Sequence, residues 1–113
     1  MTIRVIGGEL KGRKLVTVPG IETRPTADRV RESIFNILGD VVQGTHVLDL
    51  YAGTGAMGIE ALSRGAQFVL FADNQKTALA ALAKNLKTCL LESRSETIAW
   101  NIFGNLDILH SYR

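Results

Sequence analysis

The 113-residue sequence predicts an α/β fold, a parallel sheet with helical crossovers, preceded by a small β-hairpin and helix extension. Three observations carry that expectation. From residue 46 onward, short apolar runs alternate with segments of helical periodicity, a rhythm that calls for parallel strands. Before residue 41 the chain reads instead as two short β-prone runs and one amphipathic helix. Between strand and helix near residue 53 lies a glycine turn, "VLDLYAGTGAMGIEAL". The division falls at residues 1–40 for the extension and 41–113 for the sheet domain.

Taken in order, "IRVIGGELKGRKLVTV" predicts a hairpin at residues 3–18, its strands joined through glycine-bearing turns. "RPTADRVRESIFNILG" predicts a helix. Thr26 can cap it and Asp28 favours its positive end. Val30, Ile34, Ile37 and Leu38 fall at helical spacing, and Gly39 suits a left-handed stop. Arg29 and Arg31 fall off that apolar stripe, available to solvent or a partner.

"HVLDLY" is a short apolar strand, and "AMGIEALSRG" a helix with Ile59 and Leu62 facing inward. "FVLFAD" is a second buried strand. "KTALAALAKNLKTCL" is a helix with Lys84 and Lys87 outward. "ETIAWNI" predicts a third strand and "GNLDILHSY" the start of another helix.

Composition excludes several classes. No apolar run approaches the roughly 18 residues of a membrane helix, and no signal-peptide pattern opens the chain. The single Cys89 forms no internal disulfide, so a cytoplasmic home is expected and a buried structural thiol rather than a nucleophile. With two histidines, His46 and His110, no metal cluster is in view. The net charge of +2 hides an asymmetry. Residues 1–31 hold seven basic and three acidic residues, whereas the remainder holds six basic and eight acidic. A basic N-terminal quarter is the footprint of a phosphate-backbone contact, or simply a solvated surface.

Gly53, Gly55 and Gly58 have the G-x-G-x-x-G spacing, between a strand and a helix, that lets a ligand approach the backbone at a helix N-terminus. Asp73, twenty residues after Gly53, ends the next strand and suits a ribose's two hydroxyls. Both features fit NAD or S-adenosylmethionine. Asp49 separates them: a carboxylate beside the turn opposes a pyrophosphate but suits a sulfonium and an ammonium. The blander readings are that the glycines serve packing, that Asp49 caps the helix, and that Asp73 is a turn residue.

"RVIGGELKGRKL", "TRPTADRVRESIFNIL", "VLDLYAGTGAMGIEALSRGA" and "FAD", in this order, resemble the bacterial small-subunit ribosomal RNA methyltransferases that methylate a guanine's exocyclic amine. The resemblance is close over residues 3–89 and looser over "ETIAWNIFGNLDIL". It implies a Rossmann-like class I methyltransferase fold, of which this chain holds the N-terminal half of the sheet, and S-adenosylmethionine as cofactor.

On that resemblance Asp49 faces the methionine ammonium. Ala52, Gly53, Thr54, Gly55 and Gly58 form the turn around the methionine part. Asp73 holds the ribose hydroxyls with Asn74 beside the adenine, and Asn101 and Ile102 fall near the adenine amine, where the family has an acidic residue. Thr26 lies over the cofactor as part of a helical lid, unless the "RPT" is no more than a capped helix start. Arg4, Lys11, Arg13, Lys14, Arg24, Arg29 and Arg31 are the expected RNA contacts, on ribosomal RNA or an assembling subunit.

The family's target motif, Asp/Asn-Pro-Pro followed by Tyr or Phe, orients the amine and stacks on a flipped-out base. The prolines here are Pro19 and Pro25 alone, with no Pro-Pro pair. The expectation is a truncated chain, inactive on its own, whose first sheet strand leaves an apolar edge open to self-association. A non-catalytic RNA- or nucleotide-binding fragment is the alternative reading, and an NAD-dependent oxidoreductase fragment a weaker one.

Overall fold

A computed structural model describes residues 3–17, 25–50 and 52–99, with the side chains of residues 25–27 excepted. Strands β1 (Ile3–Arg4) and β2 (Lys14–Leu15) form the hairpin. Helix α1 (Pro25–Leu38) follows and tightens into a 3₁₀ turn at Gly39–Val42. Then come β3 (His46–Leu50), α2 (Ala56–Ser63), β4 (Phe68–Asp73), α3 (Lys76–Thr88), a 3₁₀ turn at Glu92–Arg94, and β5 (Ser95–Ala99).

The sheet is parallel in the order β3-β4-β5, as the strand–helix rhythm requires. Asp49 pairs with Phe71 across β3 and β4, so the strands are in step and end at one edge. Central β4 is covered on both faces, which is why it reads as an unbroken apolar run: Val69, Leu70, Phe71 and Ala72 are all buried. Ile59 and Leu62 of α2, Leu82 and Leu86 of α3, and Phe71 form the core with Val5, Leu15 and Phe35 of the extension. Each fully buried Leu or Phe contributes about 1.5–3 kcal/mol. One shared core therefore holds sheet and extension together.

The hairpin is shorter in regular pairing than residues 3–18, with Ile3 opposite Leu15 and Arg4 opposite Lys14. Its backbone is committed to α2. The N–H groups of Ile6 and Gly7 each donate to one carboxylate oxygen of Glu60 at 2.9 Å. Leu10 N–H donates to Ser63 Oγ at 2.8 Å, and Ser63 Oγ donates to the Gly7 carbonyl at 2.6 Å.

Two expectations about α1 are corrected. The helix begins at Pro25, a residue suited to the first helical position, so Thr26 sits inside the first turn rather than capping it. The face turned to the core carries Arg31 and Phe35, both 5% exposed, while Val30 is 52% and Ile37 84% exposed. Arg31 is drawn in because Glu60, 0% exposed, needs a countercharge. An unpaired buried carboxylate costs several kcal/mol, more than the exposure of one apolar side chain. Arg31 Nε lies 3.3 Å from Glu60 Oε1, and Arg64 Nε 2.8 Å from Oε2. Gly39, at φ 52°, makes the left-handed stop. Residues 100–113, including the fourth-helix expectation at "GNLDILHSY", lie outside the described residues.

Candidate functional site at the glycine turn

The turn joining β3 to α2 lies at the carboxyl edge of the sheet, where adjacent β4 also ends. Its backbone is held from several sides. Ala52 N–H donates to the Ala72 carbonyl at 2.9 Å, and Gly55 N–H to the Ala52 carbonyl at 2.8 Å. Gly53 N–H donates to Asp73 Oδ2 at 2.8 Å, while Asp73 Oδ1 accepts from Gln75 N–H at 2.9 Å. Asp73 is thus a buried strap between the end of β4 and the turn. Each of its oxygens accepts one of these bonds and retains a second lone pair for a hydroxyl donor.

The glycines divide by role. Gly55 has φ 87° and is the residue before α2, a left-handed position that disfavours other residues. Gly58 is inside the helix, where a Cβ would run into the Phe71 ring and Val69 of β4. Gly58 therefore serves close helix–sheet packing, and its N–H faces Asp49.

Asp49 accepts that N–H through Oδ2 at 3.1 Å, the service a capping side chain gives the third N–H of a helix. The capping role and the binding role are both open to one carboxylate, since Oδ1 stays available. Burial, then the nearby Asp73 charge, raise its pKa to about 6, against the opposing pull of the Gly58 N–H. Two carboxylates at one sheet edge, one of them disfavoured as an anion, make a site short of positive charge. The acceptor set suits a cation with ribose hydroxyls, and it opposes a pyrophosphate.

The remaining expected residues separate into those the structure places and those beyond it. Thr54 is buried and Asn74 exposed at the same edge. Thr26 is placed as backbone in the first turn of α1. Arg24, Asn101 and Ile102 lie outside the described residues. Arg4, Lys11, Arg13, Lys14 and Arg29 are exposed, as a contact surface requires. Arg31 departs from the expectation of a solvent-facing residue: at 5% exposure, and paired with Glu60 and Asp28, it is committed to the fold.

Cys89 is free and buried, and burial raises its thiol pKa, with Arg13 opposing. Among the described residues there is no cluster of three metal-ligating side chains, and no helix is long and apolar enough to cross a membrane.

Three residues at the heart of the arrangement escape motif reading: Glu60, Ser63 and Asn85. A signal existed for two of them. Glu60 is a lone charge within an apolar helix, four residues before Arg64. Asn85 falls on the buried stripe of Ala78, Leu82, Leu86 and Cys89.

Beside the edge of β3 that is unpaired among the described residues, an open groove of about 430 Å³ runs between α1 and α2. Ile34, Leu38, Val41, Leu48 and Met57 line it, each more than a third exposed, and Asp49 lies at its wall.

A parallel sheet with a glycine turn after one strand and an acid closing the next has the fold of class I methyltransferases, seen also in solved structures similar to this one. The Escherichia coli protein yhhF superposes with a TM-score of 0.79 at 40% identity, covering 89% of this chain and 54% of that one. Residues 3–109 match the model of the family described as Conserved hypothetical protein 95, and the chain belongs to that family. YlbH of Bacillus subtilis, which carries an rRNA methyltransferase name, is 48% identical over 94 residues, 83% of this chain and 51% of that protein. Ribosomal RNA small subunit methyltransferase D of Escherichia coli K12 is 45% identical over 86 residues, 76% of this chain and 43% of that protein. The chain spans about half the length of the curated relatives it matches.

Proposed function

We propose that this chain is the cofactor-holding part of an S-adenosylmethionine-dependent methyltransferase of small-subunit ribosomal RNA, acting on the exocyclic amine of a guanine in the cytoplasm. The observation that carries the reading is the Asp49 carboxylate, half-buried near the end of β3 and one hydrogen bond from the α2 N-terminus. A pyrophosphate brought there would meet a like charge, so NAD is the weaker ligand. The names borne by relatives support the RNA target.

The cofactor supplies an electrophilic methyl group activated by the sulfonium. The chain's own residues bind and orient. Asp49 Oδ1 accepts from the amino-acid ammonium, and ionised Asp49 offsets its charge. Ala52, Gly53, Thr54 and Gly55 bring backbone close to the methionine part. Asp73 accepts ribose hydroxyls while strapping the turn to β4, and Asn74 stands beside the adenine. Thr26, with Asn101 and Ile102, completes the cofactor contacts. The basic extension, Arg4, Lys11, Arg13, Lys14, Arg24 and Arg29, contacts the phosphate backbone.

Transfer needs a group that orients the guanine amine, and no Asp/Asn-Pro-Pro segment is present in these residues. The chain alone is therefore proposed to bind cofactor and RNA without turnover. A tritium-methyl transfer assay with immature small subunits tests this. No incorporation by the chain, and incorporation once a segment carrying the target motif is fused to it, is the expected result. Turnover by the chain alone would overturn the assignment of roles. A non-catalytic RNA-binding role is favoured instead if RNA binds and the adenosyl compounds do not.

A further inference from the structure

Asn85 is 1% exposed, and every polar atom of its amide is used. Its Nδ2 donates to the Thr54 carbonyl at 2.9 Å and to the Val16 carbonyl at 3.1 Å. Its Oδ1 accepts from Val16 N–H at 2.8 Å. Toward Val16 the amide behaves as a neighbouring strand would, answering both backbone groups of one residue. Toward the turn it grips one peptide plane, that between Thr54 and Gly55. The other side of the same plane is held by Gly55 N–H on the Ala52 carbonyl at 2.8 Å. The peptide is thus clamped at both ends, with Gly55 in the left-handed conformation the turn needs. Among the described residues, Asn85 is the one side chain hydrogen-bonded to both the extension and the turn.

We infer that Asn85 is a positioning residue that fixes the Thr54–Gly55 peptide of the cofactor turn and couples its geometry to the seating of the N-terminal extension at Val16. The identity of the turn's ligand rests on the function proposed above; the coupling does not. Two segments 38 residues apart in the chain, at Val16 and Thr54, answer to one buried amide. Loosening either frees the other, and a ligand that orders the turn also orders the extension that carries the basic residues. Coupling of this kind is reciprocal: RNA held by the extension then favours the turn's bound geometry.

The test compares Asn85→Ala, and the milder Asn85→Ser that keeps one donor, with Leu86→Ala, a buried neighbour on α3 that touches neither segment by hydrogen bond. Amide hydrogen exchange is followed by NMR on the chain without ligand, and S-adenosylhomocysteine affinity is measured by titration where each variant is folded.

The expected result for the Asn85 variants is at least tenfold loss of protection at Gly55 and Val16 together, beyond any change in Val69–Ala72. With it goes about tenfold weaker S-adenosylhomocysteine binding. Leu86→Ala lowers protection evenly and leaves affinity unchanged. The inference is overturned if the Asn85 variants behave as Leu86→Ala does, or if Val16 loosens while Gly55 does not. If the unaltered chain fails to bind S-adenosylhomocysteine while the exchange pattern holds, the cofactor assignment fails and the coupling stands.

Discussion

The Asp49 carboxylate accepts the Gly58 N–H at 3.1 Å across the turn that separates β3 from α2. One acid thereby answers an orphan donor of the helix and presents its other oxygen to the sheet edge, where Asp73 also stands. A group so placed is poorly solvated as an anion. Its cost in the free chain and its use toward a cation are two sides of one arrangement.

Asp49→Asn keeps an acceptor for Gly58 and removes the charge. The folded pKa of about 6 lies above the ordinary 3.8, so the native state holds a proton that the unfolded chain has lost between those values. Stability therefore falls as pH rises from about 4 to about 6, and the loss is complete above that. The displacement is worth at most about 3 kcal/mol, and water at the site's open side reduces it to about 1. Urea denaturation should find Asp49→Asn more stable than the unaltered chain at pH 7.5 and nearly equal to it at pH 4. Equal stabilities at pH 7.5 would show that the carboxylate is well solvated.

Much of this was legible beforehand because it depends on short-range pattern. The apolar run Phe68–Asp73, the helix Lys76–Thr88 and the position of both acids follow from periodicity and turn chemistry. The outward turn of Val30 and Ile37 did not, because a helix with two apolar flanks gives no period that chooses between them. What chose was Glu60, a residue of another helix, whose buried charge recruited Arg31. The seating of the extension also escaped, since it runs through backbone N–H groups of Ile6, Gly7 and Leu10, and these carry no sequence signal. Long-range polar pairs are set by tertiary geometry and show only as a charge or amide on an apolar stripe.

Glu60→Ala takes from buried Arg31 one of its two carboxylate partners, leaving Asp28, and strips the N–H groups of Ile6 and Gly7 of their acceptor. The expected destabilisation is about 3–5 kcal/mol, a large share of the stability of a domain of this size. Arg31→Met, similar in shape, should cost less than Glu60→Ala, since it leaves Arg64 and the two N–H groups on Glu60. Thermal melts of the two variants check the order. The reverse order would place the keystone at Arg31.

Reversing Lys11, Arg13 and Lys14 to Glu should weaken small-subunit rRNA binding by at least tenfold and flatten its salt dependence, because three phosphate neutralisations are lost. Melting temperature should hardly move, since all three are exposed. Filter binding at several salt concentrations reads both quantities. An unchanged salt slope would move the RNA contact off the hairpin.

The groove along β3 offers an apolar wall and a strand edge unpaired among the described residues, and we propose that two copies of this chain associate there in solution. Val41→Lys with Ile37→Lys, both residues now 71% and 84% exposed, should shift light-scattering mass toward the monomer without loss of helix content. A monodisperse monomer before substitution would refute the association.

Parallel calorimetric titrations of the chain with S-adenosylmethionine, S-adenosylhomocysteine and NAD, repeated on Asp49→Ala and Asp73→Ala, address the cofactor site itself. The account predicts saturable binding of both adenosyl compounds, lost in each variant, and weakening about tenfold per pH unit below pH 6 as Asp49 takes up its proton. NAD should give no heat. Binding of NAD in preference to the adenosyl compounds, or adenosyl binding indifferent to Asp49, would contradict it.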